Sequence, residues 1–178
     1  ELDAGFVRVG FETEGYAPIE ETTGPLVFGR VLEIEELTGF KKPIRYCQVD
    51  VGQANGTGEP QGIICGARNF AEGDTVVVSL PGAVLPGGFA IAARETYDHI
   101  SNGMMASAAE LGMTQKSEGI ITLDDASLPA GTAPGDDARA ILGSDDTVFD
   151  VNVTPDRGYA LSARGLTREI ASAFDLRY

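Results

Sequence analysis

The sequence predicts an α+β protein of mainly β content, in which a small β-barrel is inserted into a discontinuous α+β domain. Three observations carry that prediction. Glycine is abundant, 23 of 178 residues, which suits a turn-rich sheet better than a helical bundle. Short β-patterned runs recur through the middle of the chain at the even spacing of a barrel. The two ends differ in texture, each pairing a helix-patterned piece with a strand-patterned one. The expected boundaries are 1–24 for the first part of the α+β domain, 25–146 for the barrel with its C-terminal extension, and 147–178 for the second part.

Taken in order, Leu2, Phe6 and Val9 share one face of a short helix, and Gly10 is placed to stop it. The run FETEGYAPI then alternates as a strand. From Gly24 onward PLVFGRVLEIEEL and IRYCQVDVG are long β-patterned runs. In the second, Cys47, Val49 and Val51 fall on one face, with Tyr46, Gln48 and Asp50 on the other. The polar loop QANGTGEP joins it to QGIIC, so residues 44–65 read as a hairpin. DTVVVSLPG and GFAIAAR continue the strand rhythm, punctuated at Pro81-Gly82 and Pro86-Gly87-Gly88. ASAAELG, 106–112, is expected to be a short helix, GIITL a strand, 124–137 a loop and ARAILG a helical turn. TVFDVNVT alternates, setting Phe149, Val151 and Val153 opposite Val148, Asp150 and Asn152. Ser162 is placed to cap a last helix in which Leu166, Ile170 and Phe174 repeat every four residues and Arg164 and Arg168 face out.

Charge and composition narrow the function. The formal net charge of −14 argues against DNA and membrane surfaces as partners, since both need a positive field, and confines any RNA contact to a local patch helped by another subunit. No apolar run approaches the roughly 20 residues that span a bilayer. The chain opens on ELDAGFVRVGF without an initiator Met, so a piece of a longer protein is expected. Cys47 and Cys65 sit in apolar surroundings without CxxC spacing, which predicts reduced, packed thiols in a cytoplasmic setting rather than a disulfide or zinc site.

Few residues point to chemistry. His99 is the sole histidine, and nothing in the spacing brings it to Cys65 as a base. Asp124-Asp125 opens a Pro/Gly loop and is expected to be solvated, while Thr154-Pro155-Asp156-Arg157 reads as a turn. Phosphate-cradling glycine motifs are absent. The densest basic cluster is Lys41, Lys42 and Arg45, flanked by Phe40 and Tyr46. Cations for phosphate beside aromatics for stacking are what recognition of single-stranded RNA uses.

Together these runs carry a family resemblance. GRVLEIEEL, YCQVDVG and IICGARNFAEGDTVVVSLPGAVLPGGFAI look like the tRNA-binding OB domain of the β-subunit family of bacterial phenylalanyl-tRNA synthetases. SNGMMASAAELGM, GIITL and VNVTPDRGYALSARGLTREIA follow in that family's order, and the last is missing from free-standing tRNA-binding relatives. The resemblance implies an N-terminal, non-catalytic region of an (αβ)₂ heterotetramer. Its catalytic α subunit uses ATP and Mg²⁺ to join phenylalanine to its tRNA, and the fragment itself holds no cofactor or metal. Arg68, Asn69, Arg94, Met105 and Ser107 match positions on the tRNA-facing side of the stand-alone relatives, and with Lys41, Lys42 and Arg45 they are the candidate tRNA contacts. The alternative is an autonomous, structure-specific tRNA-binding barrel that works without a synthetase.

Overall fold

The computed structural model describes residues 1–18, 22–143 and 146–178. In chain order its elements are α1 (Leu2–Arg8), β1 (Glu12–Pro18), β2 (Leu26–Leu37), β3 (Ile44–Asp50), β4 (Gln61–Cys65), β5 (Thr75–Ser79), β6 (Val84–Leu85), β7 (Phe89–Ala90), β8 (Arg94–Thr96), β9 (His99–Ser101), β10 (Met104–Met105), β11 (Thr122–Leu123), α2 (Arg139–Leu142), β12 (Thr147–Asn152) and α3 (Ala163–Ala173). The class expected from the sequence, α+β with mainly β content, is the one observed. Packing divides the chain into two compact units, Glu1–Ile19 with Asp146–Tyr178, and Glu20–Asp145.

In the first unit β1 pairs antiparallel with β12, and a register shift falls between Thr13 and Gly15. Gly10, with φ of +81°, ends α1 in a left-handed turn. The Phe11 amide donates to the Phe6 carbonyl and the Gly10 amide to that of Val7, while the Phe6 and Phe11 rings meet edge to face at 6.4 Å. Glycine suits this stop because, without a Cβ, it takes the positive φ at no steric cost, and two backbone bonds and an apolar contact then close the turn. Phe6, Phe11 and Ala160 form the buried centre, with Phe149, Val151, Val153, Leu166 and Ile170 packed around them. Arg8 donates to the Ala173 carbonyl at 2.6 Å, and α1 lies against α3. On α3 the most buried residues are Gly165, Ala171 and Ala173, beside the expected Leu166–Ile170 stripe. Arg164 and Arg168, expected to face out, both engage Tyr178, through its hydroxyl and its ring. Between β12 and α3 the turn expected at 154–157 extends as a 3-10 segment, Pro155–Leu161.

The second unit is the barrel. Its strand order is β10-β5-β2-β3-β4, with β11 also on β5. β2 is 12 residues long because its first half pairs with β5 and its second half with β3. Gly29 lies near the crossover, where a Cβ would approach the Val49 and Val78 side chains to 2.7 and 2.8 Å. The far edge closes through single bonds: the Asn102 amide donates to the Gly62 carbonyl at 2.8 Å, and the Ile64 amide to Ser101 Oγ at 3.0 Å. Five strands in a nearly closed sheet match the OB plan. The register also explains the apolar run TVVVS. Val76 and Val78 face the interior with Val27, Val31, Cys47, Val49 and Ile63, while Val77 packs outside with Leu26, Phe28 and Leu111. The first half of β2 and all of β5 are thus covered on both faces, which is why their sequences do not alternate there.

Three expectations change in this unit. Residues 106–112 form hydrogen-bonded turns rather than a helix, because the Ala106 amide and carbonyl are already used by Val77 and Ile121. GFAIAAR is not one strand but gives Phe89–Ala90 and, at its end, Arg94 as the start of β8, and GIITL gives only Thr122–Leu123. Residues 124–137 are not a free loop. They contain a 3-10 turn at Asp125–Ser127, and they end by bonding the first half of β2, with the Phe28 amide donating to Asp136 and the Gly135 amide to Phe28. No helix among the described residues is long and apolar enough to cross a membrane.

Candidate functional site

The tip of the β2–β3 hairpin carries Phe40, Lys41 and Lys42, all exposed, and neither lysine has a hydrogen-bond or ion-pair partner among the described residues. Two strands leave this tip in strict register, Leu37 opposite Ile44 and Glu36 opposite Arg45. The neighbouring hairpin, β8–β9, turns at Tyr97-Asp98, whose φ values of 52° and 59° are those of a tight two-residue turn. The turn sets the Tyr97 ring edge-on to Phe40 at 4.7 Å. His99 stands against Tyr46 at 4.3 Å, its Nδ1 2.8 Å from the Tyr97 carbonyl. Two hairpins therefore present exposed aromatic surface and two free ammonium groups together.

Arg45 is committed differently from its lysine neighbours. Its Nε donates to Glu36 Oε1 at 2.9 Å and its Nη1 to the Phe70 carbonyl at 3.0 Å, and the guanidinium lies 5.2 Å from the centre of the Phe70 ring. Arg68 meets the same carboxylate from the other side with two parallel bonds of 2.8 Å. Arg68 and then Arg45 hold the Glu36 carboxyl below its ordinary range.

The remaining candidates take different places. The Asn69 side chain bonds the Ile120 backbone reciprocally, which makes it a clamp between loops. Arg94 is exposed, stacks 5.2 Å from the Phe89 ring, and borders a cavity of about 170 Å³ lined by Ile64, Ile91 and Met104. Met105 is 3% exposed in the barrel core, so its side chain packs inward. Ser107 offers its amide and hydroxyl to Glu110 at 2.8 and 2.7 Å, closing a local turn beside a second cavity of about 350 Å³. The structure thus brings Arg45 and Arg68 together, and sets Lys41 and Lys42 at the hairpin tip that Arg45 follows. Glu36, Tyr97 and His99 are the partners the sequence reading missed. Hairpin register across 37–44 was a usable signal for Glu36, whereas a Tyr-Asp turn lacks the usual glycine signature.

The groups weighed for catalysis have structural partners. Cys47 and Cys65 are free and buried. Burial pushes the Cys47 thiol up to about 12 and also raises that of Cys65, against the opposing pull of the Ala67 amide. Asp125 is not merely solvated, as expected from the sequence. It accepts from the Thr75 hydroxyl at 2.6 Å and pairs with Arg30 at 2.8 Å, and both lower its pKa. Bonds from Thr154 and from its own backbone amide lower that of Asp156, consistent with a turn role. No cluster among the described residues has three or more groups that could hold a metal ion.

Residues 26–133, within the barrel unit, match the family described as "Putative tRNA binding domain". Over its full length the chain is similar to phenylalanine–tRNA ligase beta subunits, 76% identical to that of Corynebacterium efficiens and 61% to that of Thermobifida fusca. It spans about a fifth of those relatives, 21% in each case. The crystal structure of a CsaA chaperone protein from Picrophilus torridus aligns with 63% of this chain and 88% of its own, at 14% identity and a TM-score of 0.43.

Proposed function

The chain belongs to the tRNA-binding domain family through residues 26–133, and from that premise we propose that its barrel handles tRNA within a phenylalanine–tRNA ligase beta subunit. The full-length similarity to such subunits supports reading the chain as their N-terminal region. On this reading the region is non-catalytic and cytoplasmic. The complete enzyme is an (αβ)₂ heterotetramer that aminoacylates phenylalanine tRNA at an α-subunit site using ATP and Mg²⁺. The packing units support a barrel inserted between two parts of a second domain, with the barrel unit running 20–145 rather than the expected 25–146.

The observation that carries the RNA reading is the hairpin tip. Lys41 and Lys42 are free for phosphates, and the Phe40–Tyr97 pair gives a sequence-tolerant stacking surface. With a net charge of −14 the chain repels RNA at long range, so contact depends on this local patch and on a partner subunit to steer encounter. Arg94 at its cavity and the hydroxyl of Ser107 are secondary contacts.

The test is tRNA affinity of the chain across a salt series. Loss of two phosphate contacts in the Lys41→Ala/Lys42→Ala variant reduces the slope of log K against log salt by about 1.4–1.8. An unchanged slope and affinity sink the assignment.

A further inference from the structure

We propose that Arg45 and Arg68 form a seat for one phosphate of bound RNA, and that Glu36 is its resident anion, displaced when RNA binds. The proposal rests on the tRNA reading above. Arg68 grips the Glu36 carboxylate in a two-bond fork at 2.8 Å, and Arg45 adds Nε at 2.9 Å. Paired guanidinium donors converging on one oxyanion are the arrangement that recognises phosphate as readily as carboxylate. The seat is preorganised on one side, because Arg45 is only 15% exposed and is fixed by the Phe70 carbonyl and ring. It is open on the other, with Arg68 and Glu36 44% and 46% exposed.

Glu36 reaches the seat from its own strand, so rotation of its side chain moves the carboxylate into water without moving the barrel. Exposed ion pairs contribute little, which makes such an exchange easy. The seat also lies on the hairpin whose tip carries Lys41 and Lys42. RNA held there presents further phosphates at high effective concentration, whereas a free anion has no such advantage over the tethered carboxylate. The device masks two arginines in an acidic protein until a polyanion engages the tip.

The test uses the full chain and a phenylalanine tRNA transcript, with thermal melting to verify that each variant is folded. Glu36→Gln is expected to tighten binding about three- to tenfold at low salt, with the salt slope little changed because the same phosphates are contacted with and without Glu36. Arg68→Ala weakens binding alone and abolishes the gain when combined with Glu36→Gln. Glu33→Gln, which removes an exposed carboxylate from the same strand, reports the effect of net charge and is expected to change affinity less than about twofold. If wild type binds and Glu36→Gln behaves as Glu33→Gln does, the seat is overturned while the tRNA reading stands. If neither wild type nor Glu36→Gln binds, the tRNA reading fails and takes the seat with it.

Discussion

Asn69 and Ile120, 51 residues apart, are joined by two reciprocal bonds, the side-chain amide to the Ile120 carbonyl at 2.8 Å and the Ile120 amide to the side-chain oxygen at 3.1 Å. The pair ties the loop after β4 to the segment leading into β11, so an asparagine that resembles an RNA-facing residue in sequence does structural work. Asn69→Ala leaves both backbone groups of Ile120 dependent on water and is expected to cost about 1–2 kcal/mol, read by urea denaturation. Asn69→Asp keeps the acceptor but turns an oxygen toward the Ile120 carbonyl, and should cost at least as much.

The thiols give a pH prediction. Folding raises the Cys47 pKa from an ordinary value of about 8.5 to about 12. The folded chain holds that proton more tightly than the unfolded chain. The stabilisation is therefore complete below about pH 8.5 and lost progressively as pH rises toward 12. Denaturant midpoints should fall over that range, and Cys47→Ala should flatten the decline. Both thiols should resist a disulfide reagent in the native state near pH 8 and react once the chain is unfolded. Rapid native labelling of either would overturn the packing account.

What was legible in the sequence depended on whether local pattern and tertiary demand agreed. Along β3 and the residue after it, the alternation of Cys47, Val49 and Val51 with Tyr46, Gln48 and Asp50 matches burial residue by residue, because only one face meets the core. Ala106–Gly112 misled because helix propensity is local, while the Ala106 backbone pairs with Val77 and Ile121 across the barrel. The free lysines of the candidate site were readable as a basic cluster. The convergence of Arg45 and Arg68 on Glu36 was not, since Arg68 lies 32 residues along the chain and reaches Glu36 only once β4 folds beside β3.

Ser162 tests the smaller unit. Its hydroxyl accepts from the Gly165 amide at 3.0 Å and donates to the Tyr159 carbonyl at 2.9 Å, so one side chain starts α3 and pins the preceding 3-10 segment. Ser162→Ala is expected to lower stability by about 1 kcal/mol, and Ser162→Asp, which keeps the acceptor at the helix start, by less. Equal losses for both would mean that the donated bond to Tyr159 matters more than the cap.

Met105 separates packing from recognition. It matches a tRNA-facing position by sequence, yet it packs at 3% exposure among Val49, Val76, Ile120 and their neighbours in the barrel core. Met105→Ala removes buried volume that strands on both sides cannot refill, and should cost about 2–5 kcal/mol by denaturation. Met105→Leu nearly conserves volume and should cost less than about 1.5 kcal/mol. If the residue acts only in the core, both variants bind tRNA with wild-type affinity once corrected for the folded fraction. A loss of affinity in fully folded Met105→Leu would instead return the side chain to the binding surface, and would require the barrel to open at β10 when RNA arrives.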